Sequence, residues 1–192
     1  MKTEVLIGMF ALMMVAPSVH CYTSGQATQF YSMDLEKVAG SGDFVSRADN
    51  LRIECYNIFH AYEGCSALVF RGSGSRNIYW YADDDGLSRK STASDGTTYV
   101  VWKNTRGQNV RKSVSEVKSI ARTVIQKSYG DARARVYYIK GELASSLSVR
   151  TAGVYCASSS IPAAARWYGA QDYYVQRVYS GGYYCDFWLY AW

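Results

Sequence analysis

The chain has 192 residues and a formal charge of +5, with acids and bases interspersed along its length. That balance is too mild to make a nucleic acid the expected partner. Two histidines leave no room for a His-rich metal centre, while 18 Tyr and 5 Trp point to half-buried sheet faces or to a binding surface.

The N-terminus has the three parts of an export signal. Lys2 supplies the charge, Val5 to Ala16 is apolar apart from Gly8, and Pro17 and Ser18 break the run. The run is too short to span a bilayer as a helix. A cut after Cys21 puts Val19 and Cys21 at the two positions that want modest side chains, so 1–21 reads as a signal peptide and 22–192 as one secreted α+β domain. Its later stretches hold no transmembrane segment, so the expected location is extracellular. Four cysteines remain, Cys55, Cys65, Cys156 and Cys185. An even count in an exported chain predicts two disulfides, with three pairings open.

Residues 22–45 are polar, with a short extended segment expected over Gln29 to Val38 and a turn at Gly40-Ser41-Gly42. Leu51, Cys55, Ile58, Phe59 and Tyr62 then share one helical face, with Ser46 and Asp49 resembling a capping box and Gly64 as the stop. Cys55 is on the apolar face, so its sulfur points toward a sheet beneath. Cys65 to Arg71 and Asn77 to Ala82 read as strands flanking the Gly72–Ser75 turn, and as a local unit with the helix. Residues 83–97, with Asp83-Asp84-Asp85 and Arg89-Lys90, read as a solvated loop in which the dibasic pair is a candidate processing site. Thr98 to Lys103 is a third strand.

Ser113 and Glu116 form a capping box ahead of an apolar stripe of Val117, Ile120, Ala121, Val124 and Ile125, a second helix ending at Gly130. Val136 to Ile139 reads as the start of a strand and Leu147 to Ala157 as another. Tyr173 to Tyr179 and Tyr183 to Trp192 form a hairpin around Ser180-Gly181-Gly182. No internal repeat at a fixed period is visible. The expected fold is α+β, an antiparallel sheet with two helices packed on one face, stapled by disulfides.

Catalytic sets are sparse. A nucleophile elbow is absent, and Leu68 to Gly72 resembles the strand entering the oxyanion region of some lipases without one. His60, Glu63 and Arg71 lie close enough for a single-His ribonuclease-like site. Arg71, then Ser91-Thr92-Ala93-Ser94, then Glu142 follow the order of mono-ADP-ribosyltransferase toxins, with Lys140 where such enzymes carry Glu or Gln. No zinc spacing, calcium loop or phosphate loop occurs, so no cofactor or metal is expected. An aromatic-rich domain without a catalytic set reads as a binder. On the last hairpin Tyr173, Val175, Arg177 and Tyr179 alternate onto one face, and Tyr173, Arg177 and Tyr179 are the expected binding surface.

The run Ile53-Glu54-Cys55, the strand Cys65 to Phe70, the helix Val117 to Ile125, the segment Gly153-Val154-Tyr155-Cys156 and Arg166-Trp167-Tyr168 together resemble small secreted effectors of plant-pathogenic fungi and related α/β-sandwich killer toxins. The aromatic tail from Gln171 departs from that pattern. The resemblance implies a non-enzymatic effector or toxin whose partner is a host or competitor-cell protein or a surface glycan. A secreted enzyme toxin and an extracellular carbohydrate-binding domain are the alternatives.

Overall fold

The computed structural model describes residues 22–59, 64–82, 84–104, 110–148, 153–167 and 173–189. The expected export signal, His60, Glu63, Asp83 and Tyr168 lie outside them. The elements run α1 (Ser24–Ser32), α2 (Leu35–Ala39), α3 (Phe44–Phe59), β1 (Cys65–Arg71), β2 (Ile78–Ala82), β3 (Asp84–Thr92), β4 (Thr97–Asn104), α4 (Val114–Lys127), α5 (Ala132–Leu147), β5 (Gly153–Ser158), β6 (Ala163–Trp167), β7 (Tyr174–Ser180) and β8 (Tyr183–Trp188). The α+β class, the antiparallel pairing and the disulfide stapling hold. The layer count differs: there are two four-stranded antiparallel sheets, β3-β4-β1-β6 and β2-β5-β8-β7, rather than one.

The sheets pack face to face, with helices on both outer surfaces. Leu68, Phe70, Val100 and Trp102 of the first sheet meet Ile78, Tyr155, Ala157, Tyr184 and Trp188 of the second. The alternate residues Ala67, Val69, Tyr99 and Val101 point outward under α1, α2 and α3. Val154, Cys156, Cys185 and Phe187 point outward under α4 and α5. This is the period-two alternation of strands buried on both faces.

The two halves of the chain repeat one topology and exchange a strand. Strands β1 to β4 correspond to β5 to β8, but β2 pairs with β5 and β6 pairs with β1. The local unit expected from the first helix and two strands is therefore opened, because β2 belongs to the opposite sheet. At the pseudo-twofold centre Trp102, opposite Ser66, stacks on Trp188, opposite Gly153, with centroids 5.8 Å apart. Trp167 also stacks on Trp188, at 5.5 Å. The repeat is carried by strand order and register, with little side-chain identity, which is why the sequence conceals it.

Local chemistry explains the helices. Thr23 and Gln26 form a capping box for α1, and Asp34 caps α2, so Gln29–Val38 is not an extended segment but the end of α1 and the start of α2, joined by Met33 and Asp34. Asp43, rather than Ser46, caps α3: its Oδ1 accepts from the Ser46 amide at 2.8 Å. The Ser113–Glu116 box opens α4 as the spacing predicts. The run at Val136 is not a strand: Val136, Ile139, Leu143 and Leu147 form the buried stripe of α5, capped by Asp131. Arg135 lies buried at its start, donating to the Gly130 and Ser128 carbonyls.

Cys55 of α3 joins Cys65 of β1, and Cys156 joins its register partner Cys185 across β5 and β8. Each half thus carries one staple. Closing loops with separations of 10 and 29 residues contributes about 3 kcal/mol each on a chain-entropy basis.

Two glycines provide a test of the packing. A Cβ on Gly153 would enter the Trp188 indole, whereas one on Gly141 of α5 meets nothing. Urea unfolding should show Gly153→Ala losing about 3 kcal/mol or more and Gly141→Ala gaining about 0.5–1 kcal/mol. A tolerated Gly153→Ala would contradict the tryptophan packing.

Candidate functional site

Where β2 crosses from one sheet to β3 of the other, the sandwich opens into a cleft. One compartment, about 600 Å³, is lined by Phe70, Trp80, Lys90, Thr92, Thr98 and the Gly72–Ser75 turn. A second, about 360 Å³, is lined by Trp80, Ala82, Ser88, Lys90, Val100 and Trp102. Lys90 divides them, its ammonium 5.5 Å from the centre of the Trp80 ring, which leans on Phe70 at 5.5 Å. Such an exposed cation–π contact stabilises by only about 0.5–1 kcal/mol, so Lys90 can swing aside for a ligand.

Both walls of the cleft are edge strands. Ser158 N–H donates to the directly opposite Asn77 carbonyl. By alternation the pairs Tyr79–Cys156 and Tyr81–Val154 are hydrogen-bonded, and the Trp80 N–H and C=O point away from β5 to the open edge. Ala93 N–H likewise donates to Thr97 carbonyl, which turns the Lys90 backbone outward from β4. On the outer face of β2 the Arg133 guanidinium lies 5.7 Å from the Tyr79 ring and the Lys140 ammonium 3.5 Å from the Tyr81 ring, both reaching from α5. Tyr79 and Tyr137 share a 3.2 Å hydrogen bond. That bond, first among the causes, raises the Tyr79 pKa and lowers that of Tyr137.

The pseudo-equivalent mouth between β6 and β7 is bridged. Arg177 occupies the place of Lys90, but its guanidinium donates to the Ala163 carbonyl at 3.2 Å and lies 5.0 Å from the Tyr184 ring. Trp167 and Tyr174 close the far end, 5.0 Å apart. Behind them Asp186, only 3 % exposed, accepts from Tyr155 Oη at 2.9 Å and from the Arg177 amide at 2.7 Å. Burial raises the Asp186 pKa and outweighs those hydrogen bonds and the Arg177 charge. Burial, then the Asp186 charge, pushes Tyr155 well up, and Tyr184 is raised to about 12, chiefly by burial. An open depression of about 730 Å³ remains outside this bridge, lined by Arg47, Arg71, Ile161, Arg177, Tyr179 and Tyr184.

The expected surface of Tyr173, Arg177 and Tyr179 is split. The register shifts between Val175 and Val178, and Arg177 has φ 48°, so the strict alternation of faces breaks there. Tyr173, 6 % exposed, and Val175 pack under α4 and α5, while Tyr179 is 61 % exposed beside Tyr184. Arg71 and the Ser91–Ser94 segment come close together through Asp95 and Thr97, since Arg71 Nη2 pairs with Asp95 at 2.5 Å and Thr97 with Ala93. Glu142 does not join them; it stands on α5, over the outer face of the second sheet, and lines none of the three cavities. Arg89-Lys90 is not in a loop. It lies in β3 opposite Val101 and Val100, and Arg89 donates to the Phe30 and Met33 carbonyls, tying down α1 and α2. The polar composition of 84–92 suits an edge strand that must resist unwanted pairing.

In the sequence Trp80 belongs to a strand and Lys90 to a polar segment that reads as a loop, with nothing local to join them. The available signal was Ser88, Lys90 and Thr92 alternating with the buried Leu87 and half-buried Arg89. Among the described residues no cluster of metal-ligating side chains occurs, and no helix is long and apolar enough to cross a membrane. Comparison with protein-family models, curated proteins and solved structures gives no match.

Asp186 supplies a pH test. A carboxyl whose pKa is raised by folding stabilises the fold fully below its unfolded value near 3.8, and that contribution is lost as pH rises through the folded value. Replacing Asp186 by Asn removes this loss, and the amide can still accept from the Arg177 N–H. Denaturant midpoints should therefore favour Asp186→Asn over wild type more at pH 7 than at pH 4. A gap that widens toward pH 4 would contradict the assignment.

Proposed function

We propose that this is a secreted, effector- or toxin-like protein that acts by binding a host or competitor-cell target, without turning over a substrate. The single observation that supports this reading most is the open β2–β3 mouth. Trp80 and Lys90 stand at an unfilled cleft, whereas the related mouth is bridged by Arg177 and Ala163. Large aromatic rings with a cation alongside are the composition of interaction hot spots. Two disulfides, one in each half, suit a chain that works in an oxidising environment. Arg71 lines two of the cavities described above and Glu142 none, which weighs against the transferase alternative.

Binding to intact cells tests the proposal. The labelled, oxidised protein should bind plant or fungal cell surfaces saturably. Trp80→Ala should weaken that binding by about tenfold or more, the scale of one lost hot-spot side chain, with circular dichroism unchanged. Undiminished binding by folded Trp80→Ala would remove the cleft from the function.

A further inference from the structure

Each aromatic side chain of β2 carries a cation from another element: Lys90 of β3 over Trp80, Arg133 of α5 over Tyr79, and Lys140 of α5 over Tyr81. The first stands on the cleft side of β2 and the other two on its outer face. Between these two rows runs the edge of the strand, which pairs with no further strand among the described residues, with the Trp80 N–H and C=O directed outward. The edge has neither proline nor lysine within Ile78–Ala82 to discourage pairing. β3, across the mouth, is broken between Asp84 and Ser88 by a register shift and carries charge at Arg89-Lys90.

We infer that the cleft receives an extended, acidic peptide segment of a partner protein, which adds as a fifth strand to the β2 edge and sets carboxylates against Lys90 on one face and against Arg133 and Lys140 on the other. This rests on the β2–β3 mouth being the binding site. Strand addition provides the backbone hydrogen bonds, and the side chains of the added strand alternate between the two faces. Alternating acids would therefore meet the cation on one face, and acids at the intervening positions those on the other. Charge complementarity on both faces favours a peptide over a neutral glycan. The unpaired backbone of Trp80 is a partner that an oligosaccharide does not require.

Random peptides about nine residues long, somewhat longer than a typical strand, are displayed on phage and selected on the oxidised full-length protein. The enriched peptides are then synthesised. The inference expects them to be acidic and to slow hydrogen exchange at the Trp80 amide by about tenfold or more. The Tyr79 amide, already paired with Cys156, should change little. Lys90→Glu combined with Lys140→Glu should weaken binding by about tenfold or more, and added salt should do so progressively. The exchange measurement on wild type stands even if the double variant fails to fold.

Enriched peptides that leave the Trp80 amide unprotected overturn the inference. So does a heparin oligosaccharide that binds through Lys90 without protecting that amide, if no peptide is enriched. A protein that is dimeric alone, with Trp80 already protected, assigns the edge to a second copy and also overturns it. If peptides fail while cell binding still depends on Trp80, only the peptide assignment falls. If cell binding is also indifferent to Trp80, the binding-site reading falls with it.

Discussion

Trp102 and Trp188 meet at the centre of the molecule because each sheet takes one strand from the other half of the chain. β2 completes the sheet built on β5 and β8, and β6 completes the sheet built on β1 and β4. Neither sheet can separate from the other without losing its edge. The indoles fill the space this exchange creates, and Gly153 leaves room for one of them. Their Nε1 groups find no hydrogen-bond partner among the described residues, a cost of about 1–3 kcal/mol each, offset by burial of the rings, whose removal typically costs about 3–5 kcal/mol.

The same exchange decides where a ligand can reach the interior. Two facing sheets leave two mouths, one between β2 and β3 and one between β6 and β7. In the second, Asp186 fixes the Arg177 backbone from behind, and the Arg177 guanidinium reaches across to Ala163. In the first, Lys90 has the corresponding position but rests on Trp80 in the open. An approximately twofold molecule therefore has one braced side and one receptive side. The disulfides contribute without entering either cleft: Cys55–Cys65 fastens α3 to its sheet, and Cys156–Cys185 lies under α4 and α5.

Elements with strong local signals were legible in the sequence. The Ser113–Glu116 box placed α4, the spacing around Cys55 placed the buried face of α3, and Gly181-Gly182 placed the last hairpin. The sequence conceals α5 because Val136-Tyr137-Tyr138-Ile139 has β-rich composition, and its helical stripe becomes clear only when Leu143 and Leu147 are included. It conceals β3 because an edge strand needs little apolar surface. The exchange of β2 and β6 leaves no local trace, since a strand's partner is a matter of long-range register. For the site, the aromatics of β2 were visible as a strand, but its standing at an edge, and the approach of Lys90, Arg133 and Lys140 from distant elements, were not. The bulge at Arg177 likewise separated Tyr173 from Tyr179 although simple alternation joined them.

Cooperativity of unfolding tests strand exchange most directly. Trp80, Trp102, Trp167 and Trp188 line or adjoin the layer between the sheets, so in a Trp192→Phe variant tryptophan fluorescence reports that layer, while far-ultraviolet circular dichroism reports the outer helices. With disulfides intact, the two signals should trace one coincident transition in denaturant, because neither half retains a complete sheet alone. Two resolved transitions, with one half keeping its helices after the tryptophan signal is lost, would contradict the interlocked sheets.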